Sequence, residues 1–150
     1  MPTTYDTYFE LLPEVEQGVQ RGTFTYGYQK HIGIAGLQKL INKWIKAFLT
    51  EEGTDLSSRQ YGTSFAGLIG SNVTDRADIQ QIVYSSVAKA TADINSIQSR
   101  FPPEDPTEIL QSAELTSIIF EDNSSVSVYV LIQNQAGQRL QVILAGKVST

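Results

Sequence analysis

Glu51, Glu52 and Asp55 crowd one polar stretch, EEGTDLSSRQYGTSF, with Arg59 and Tyr61 close behind and Gly53 and Gly62 as brackets. Paired carboxylates are the machinery of glycoside hydrolysis, so Glu51 and Glu52 define one candidate chemistry, a lysozyme-like glycan hydrolase. Such pairs work when their surroundings differ, one apolar enough to keep a carboxyl protonated. Three acids in one polar loop beside Arg59 read instead as solvated charges or an internal ion pair. Asp55 suits a turn in which its carboxylate bonds backbone amides, Arg59 a carboxylate partner, and Gly62 a backbone with positive φ. On this reading Gly53, Asp55, Arg59, Tyr61 and Gly62 form a structural joint between helices.

The other routes to chemistry are sparse. The single histidine, His31, sits beside Gly33, and any Ser-His-Asp triad would have to be built on it without a GxSxG elbow. It reads as a solvated or capping residue. One histidine and no cysteine leave no typical zinc site, disulfide or thiol nucleophile. AGLIGSN lacks the lysine and spacing of a phosphate loop. The expectation is a protein that is not an enzyme and uses no cofactor and no metal.

A chain of 150 residues suits one domain, able to bury roughly 70% of its unfolded surface. Hydrophobic content of 41% and charged content of 18% place it among globular chains. Many polar positions are Ser, Thr, Gln and Asn, a mix that suits packing against neighbours. A net charge of -5 argues against general nucleic-acid binding, which needs a basic patch. Lys39, Lys43 and Lys46, with Lys30 upstream, fall along one side of a helix and read as a solvated face. No run approaches the ~20 apolar residues of a membrane span, and the N-terminus lacks the basic start and apolar run of a signal peptide. The expectation is therefore no membrane and a protein made in the cytoplasm.

The elements follow from periodicity. Residues 1–32 hold Tyr5, Tyr8, Phe9, Phe24, Tyr26 and Tyr28 without helical period, and read as an aromatic-rich arm with a short strand in GTFTYGYQK. Residues 33–150 form the main domain. Ile34, Leu37, Leu40, Ile41, Trp44, Ile45 and Phe48 recur at helical spacing, with Gly53 as the expected stop. TSFAGLIGSN predicts a short helical turn ending at Gly70. A second long helix is expected from Thr74 as N-cap, carrying Ile79, Ile82, Val83, Val87, Ala90, Ile94 and Ile97, and ending at RFPPEDP. The last third turns to strands: ELTSIIFED, then SVSVYVLIQN and RLQVILAG joined by a turn at NQAG. Val126, Val128, Val130 and Ile132 share one face, with Leu140, Val142 and Leu144 repeating the pattern. Tyr129, Leu131 and Ile143 leave the opposite face apolar too, so either the helices and arm cover both faces or a partner covers one. The fold class is α+β: two amphipathic helices packed on a small C-terminal antiparallel sheet with a terminal hairpin.

This order of features resembles the baseplate wedge and sheath-initiator family of contractile phage tails, with relatives in type VI secretion and tailocins. The resemblance covers about residues 34–145. In that family a helix runs into a T..GER....YG..L...L segment, and Thr50, Gly53, Arg59, Tyr61, Gly62, Phe65 and Leu68 stand at similar places. Two features depart from it. GTD replaces GER, and the Glu-Pro-Arg motif that follows the second helix in the family is absent; the corresponding stretch reads ADINSIQSRFPPEDP, with Asp93 and Arg100 as its charges.

The resemblance implies a structural protein of the virion, in the tail baseplate, assembled in the host cytoplasm. It implies about six copies in a ring, with the tail sheath protein, other wedge proteins and the tail tube as neighbours. It also implies a mechanism that a β-rich C-terminus allows. Extended arms of the first sheath ring add as strands to the terminal hairpin, over Val128, Tyr129, Val130, Leu131, Ile132, Leu140, Val142, Ile143 and Leu144. The rivals are the glycan hydrolase on Glu51 or Glu52 and an assembly adaptor that binds one strand through the same edge.

Overall fold

The computed structural model describes residues 35–69, 71, 75–120 and 125–147, together with the backbone of two short strands, β1 (Tyr8–Leu11) and β2 (Gly22–Thr25). The remaining elements are α1 (Gly36–Leu49), α2 (Phe65–Leu68), α3 (Arg76–Arg100), a single 3-10 turn (Pro106–Glu108), β3 (Leu110–Phe120), β4 (Ser125–Asn134) and β5 (Arg139–Lys147). The fold is α+β. The two long helices pack against an antiparallel three-stranded sheet of order β3-β4-β5, so β4 is the central strand. β1 and β2 pair antiparallel, with Phe9 opposite Phe24, and β1 approaches α1. The strand expected in the arm is thus present over Gly22–Thr25; Tyr26, Tyr28, Lys30 and His31 lie outside the described residues.

α1 is the hub. Its apolar residues recur at helical spacing, and Leu40, Ile41, Trp44, Ile45, Ala47 and Phe48 are fully buried. Even Asn42 is 4% exposed. The Trp44 and Phe48 rings stack at 5.1 Å, and Phe48 meets Phe65 of α2 at 4.5 Å. Such ring pairs add about 0.5–1.5 kcal/mol each beyond the area they bury. The Trp44 indole N–H donates to Thr91 Oγ1 of α3 at 3.2 Å, so the largest core side chain leaves no polar atom unpaired.

α1 does not cap its own start. Ala35 in the N-cap position offers no side-chain acceptor, and no acid lies in the first turn. Glu108, at the end of the 3-10 turn, serves instead: its carboxylate accepts from Gly36 N at 3.4 Å and pairs with Lys39 at 3.1 Å. An anion there also suits the positive end of the helix. The 3-10 turn is itself held from three sides. Asp105 accepts from Thr107 N and Oγ1, Gln98 of α3 bonds Glu108 O and Leu110 N, and Asn134 Nδ2 donates to Thr107 O.

The lysines therefore depart from the expected solvated face. Lys39 and Glu108 form an ion pair whose side chains are 12% and 9% exposed. Partial burial and the neighbouring Lys39 charge push Lys43 below the ordinary lysine range, with Glu108 opposing them. Sequence spacing puts the three on one side of a helix, but Lys39 and Lys43 on that side meet Glu108 of the 3-10 turn rather than open water.

α3 begins at Asp75, whose carboxylate accepts from Ala77 N at 2.8 Å; the expected cap, Thr74, lies outside the described residues. Ile79, Val83, Val87, Ala90 and Ile94 are buried as expected, whereas Ile97 near the C-terminus is largely exposed. α3 ends at Arg100, just before Pro102 and Pro103. α1 stops earlier than expected, at Leu49 rather than at Gly53, because Thr50 turns extended and its hydroxyl bonds back to Lys46 O at 2.6 Å. In the sheet, Val126, Val128, Val130, Ile132 and Val142 are buried under the helices, as their alternation requires.

Replacing Glu108 by alanine is expected to cost about 3–5 kcal/mol, because Lys39 is left buried without its countercharge and Gly36 N without an acceptor. Urea unfolding of the variant checks this; a loss below about 1 kcal/mol would mean that the pair does not hold α1.

Candidate functional site

Two regions carry the residues singled out by the sequence: the loop from Thr50 to Thr63 and the terminal hairpin β4–β5. The loop leaves α1 and returns to it. Thr63 N donates to Thr50 O at 2.8 Å and Glu52 N to Thr63 O at 3.2 Å, a short parallel bridge between Glu51 and Thr63. Thr63 Oγ1 then donates to Phe48 O at 2.6 Å, satisfying a carbonyl in the last turn of α1.

Gly62 makes this closure possible. Its φ is +109°, and a Cβ there would lie 2.5 Å from Thr50 O and 2.9 Å from Glu52 N, with backbone on both counts. No side chain fits. Its N–H donates to Asp93 Oδ2 of α3 at 2.9 Å. Lys89, one turn earlier on α3, pairs with Asp93 Oδ1 at 2.6 Å and donates to Gln60 O. The loop is thereby clamped to α3 as well as to α1, which fixes how the two helices sit.

The joint expected at Gly53, Asp55, Arg59, Tyr61 and Gly62 is largely present, with one correction. Asp55 Oδ1 accepts from Ser57 N at 2.8 Å, Ser57 Oγ at 2.7 Å and Ser58 N at 3.4 Å, and the first two bonds hold its carboxyl below the usual range. Gly53 has φ +91° in open space. Tyr61 packs against the core. Arg59, however, is exposed and makes no ion pair among the described residues. The pair at the joint is Lys89 with Asp93, which sequence proximity could not suggest because both lie some thirty residues along the chain on α3. In the sequence Asp93 stands out only as one of two charges where the Glu-Pro-Arg motif is missing.

Glu51 and Glu52 are exposed on the outer flank of the loop. Neither sits in the apolar surroundings that would set one carboxyl apart from the other. The described residues include no group of His, Cys, Asp and Glu arranged to hold a metal ion, and no helix of the described residues is long and apolar enough to cross a membrane.

In the hairpin, β4 pairs with β3 on one side and β5 on the other. Val128, Val130 and Ile132 lie in the core with no exposed surface, as does Val142 of β5, and Leu144 is 7% exposed. These five of the nine expected contact residues face the chain's own helices and cannot meet a partner by their side chains. Tyr129, Leu131 and Ile143 lie on the opposite face, half-buried, with Tyr129 opposite Ile143. Ile119 of β3 adds to that face at 45% exposure. No described element packs along this stretch, although Ser127 at one end of the same face is 3% exposed, and β1 approaches the helical side.

The sheet's two edges differ. β3 carries register shifts at Gln111 and at Thr116, bulges that spoil a template for pairing. β5 pairs with β4 in unbroken register from Arg139 to Lys147. The direction of its amides follows from the turn. Asn134 N donates to Gln138 O, so the hydrogen-bonded pairs recur every second residue at Leu140, Val142 and Leu144. The N–H and C=O groups of Arg139, Gln141, Ile143 and Ala145 therefore point outward from the sheet.

Compared with known proteins, the chain matches no family model, no curated protein and no solved structure.

Two outcomes are expected at the joint. Gly62→Ala should cost about 3 kcal/mol or more, combining positive φ with backbone overlap, whereas Gly53→Ala should cost about 1 kcal/mol; thermal unfolding of both separates strain from overlap. Burial, then the Asp93 and Asp55 charges, raise the Tyr61 hydroxyl above its ordinary 10.0. The folded chain thus favours the neutral phenol, and that stability is complete below pH 10 and lost as pH rises through the raised value. Tyr61→Phe should lose less stability than the wild type as pH rises above 10; equal losses in denaturant titrations would rule the residue out.

Proposed function

We propose that this chain is a structural component of a contractile tail baseplate, a wedge or sheath-initiator protein that receives sheath strands on its terminal hairpin. The reading rests on the resemblance over residues 34–145 and on one observation, the regular edge of β5, which no other described strand pairs, with its outward amides at Arg139, Gln141, Ile143 and Ala145. An extended arm of the first sheath ring would add there as a fourth strand, held by main-chain hydrogen bonds. β5 is the receiving strand because β4 is already paired on both sides. Tyr129, Leu131 and Ile143 then offer an apolar outer face beside the added strand. The clamped loop between α1 and α3 gives this edge a rigid base through which a pull on the sheath would reach the baseplate. The partners on this reading are the tail sheath protein, other wedge proteins and the tail tube, with about six copies in a ring in the virion; no catalysis and no cofactor is involved.

Cryo-electron microscopy of intact tail particles tests the placement, with the chain expected at the junction of tube and baseplate and β5 paired to a sheath strand. Ile143→Pro tests the mechanism. Its N–H points outward and serves no bond among the described residues, so proline is tolerated there as on other edge strands. Particles carrying the variant should have tubes and baseplates without ordered sheath. Normal sheaths on them would overturn the role of the edge.

A further inference from the structure

An edge strand that is long, regular and uncovered is a hazard for a free protein, and proteins blunt such edges with bulges, prolines or charges. β3 carries two bulges and Glu114. Between Leu140 and Gly146, β5 carries no bulge, no proline and no charge. Its inward residues read Leu140, Val142, Leu144, the same in both directions. We propose that two free copies of this chain pair β5 to β5, antiparallel about a dyad through Val142, joining their three-stranded sheets into one continuous sheet.

The backbone and the side chains agree on this register. The outward amides of Gln141 and Ile143 fall opposite the second copy's Ile143 and Gln141, and those of Arg139 opposite the second copy's Ala145. These are the hydrogen-bonded pairs. Val142, whose own amide turns inward to β4, lies on the dyad as a non-bonded backbone pair, its side chain remaining in the core of its own copy. Leu140, half-buried at the rim of the core, loses part of its remaining exposure beside the second copy's strand. Arg139 faces alanine, so no like charges oppose each other. On the outer face, Tyr129 and Ile143 of each copy join across the dyad into one apolar stripe. Room exists for the second copy: α3 approaches the sheet along β3 and α1 along β4, and the Ile69 side chain packs on Gly146, beyond the paired span.

This inference rests on the strand-addition reading only in using the same edge. On that reading the self-paired sheet stores the edge until a sheath arm displaces the second copy.

Sedimentation of the purified full-length chain tests it. The wild type should run at twice its 16.5 kDa monomer mass at micromolar concentration. Ile143→Pro should run as a monomer, with unchanged circular dichroism showing that it is folded. Two further variants keep the test alive should the proline disturb folding. Gln141→Lys with Ile143→Lys, and Gln141→Glu with Ile143→Glu, each set like charges directly opposite across the dyad. Each alone should weaken self-association by about tenfold, and mixing the two should restore pairing as a mixed dimer. A wild type that stays monomeric overturns the inference, as do dimers that persist unchanged in all three variants. The first outcome leaves strand addition standing. Tail particles in which β5 meets no sheath strand would overturn that reading and leave the dimer.

Discussion

A helix buried on nearly every side cannot rely on water to satisfy its ends, and α1 is such a helix. Its first amides and last carbonyls would be orphaned in the interior if the rest of the chain did not reach them. Glu108 arrives at the start from seventy-two residues further on, and Thr63 arrives at the end by way of a loop that doubles back. Most of the remaining architecture is what holds those two groups in place. Asp105, Gln98 and Asn134 secure the turn that carries Glu108. Gly62, Asp93 and Lys89 secure the loop that carries Thr63.

These two anchoring points also tie the layers together. The turn bearing Glu108 bonds to α3, to the end of β4 and to the start of α1, so helix and sheet cannot slide past one another without breaking it. The loop bearing Thr63 is held by both helices. The polar stretch EEGTDLSSRQYGTSF is therefore a joint. Its exposed acids project outward while its backbone closes tightly around Gly62, the only residue type whose geometry allows the approach.

The sheet is built asymmetrically around this frame. One face is sealed by α1 and α3, and the other keeps Tyr129, Leu131, Ile143 and Ile119 at its surface. One edge is bulged and the other is regular. On both proposals association is directed to β5 rather than to β3, whether the incoming strand comes from a sheath subunit or from a second copy of the chain. Both readings draw on the same outward amides and differ only in what supplies the other half of the ladder.

Local pattern made the fold class and most elements legible in the sequence. Helical spacing in α1 and α3, strict alternation in β4 and β5, the proline stop after Arg100 and the turn at Asn134–Gly137 each depend on neighbours a few residues apart, which is the range over which backbone geometry repeats. The glycine brackets and the turn at Asp55 were legible for the same reason. Tertiary structure alone decided which charges pair. Lys39 with Glu108 and the Asp93–Lys89 clamp on Gly62 and Gln60 join residues remote in sequence, and burial rather than spacing selects them. It also decided that β4 is central and β5 at the edge of the described sheet, because strand order depends on how three similar strands share one helical layer, and alternation reads the same for an inner strand as for an edge.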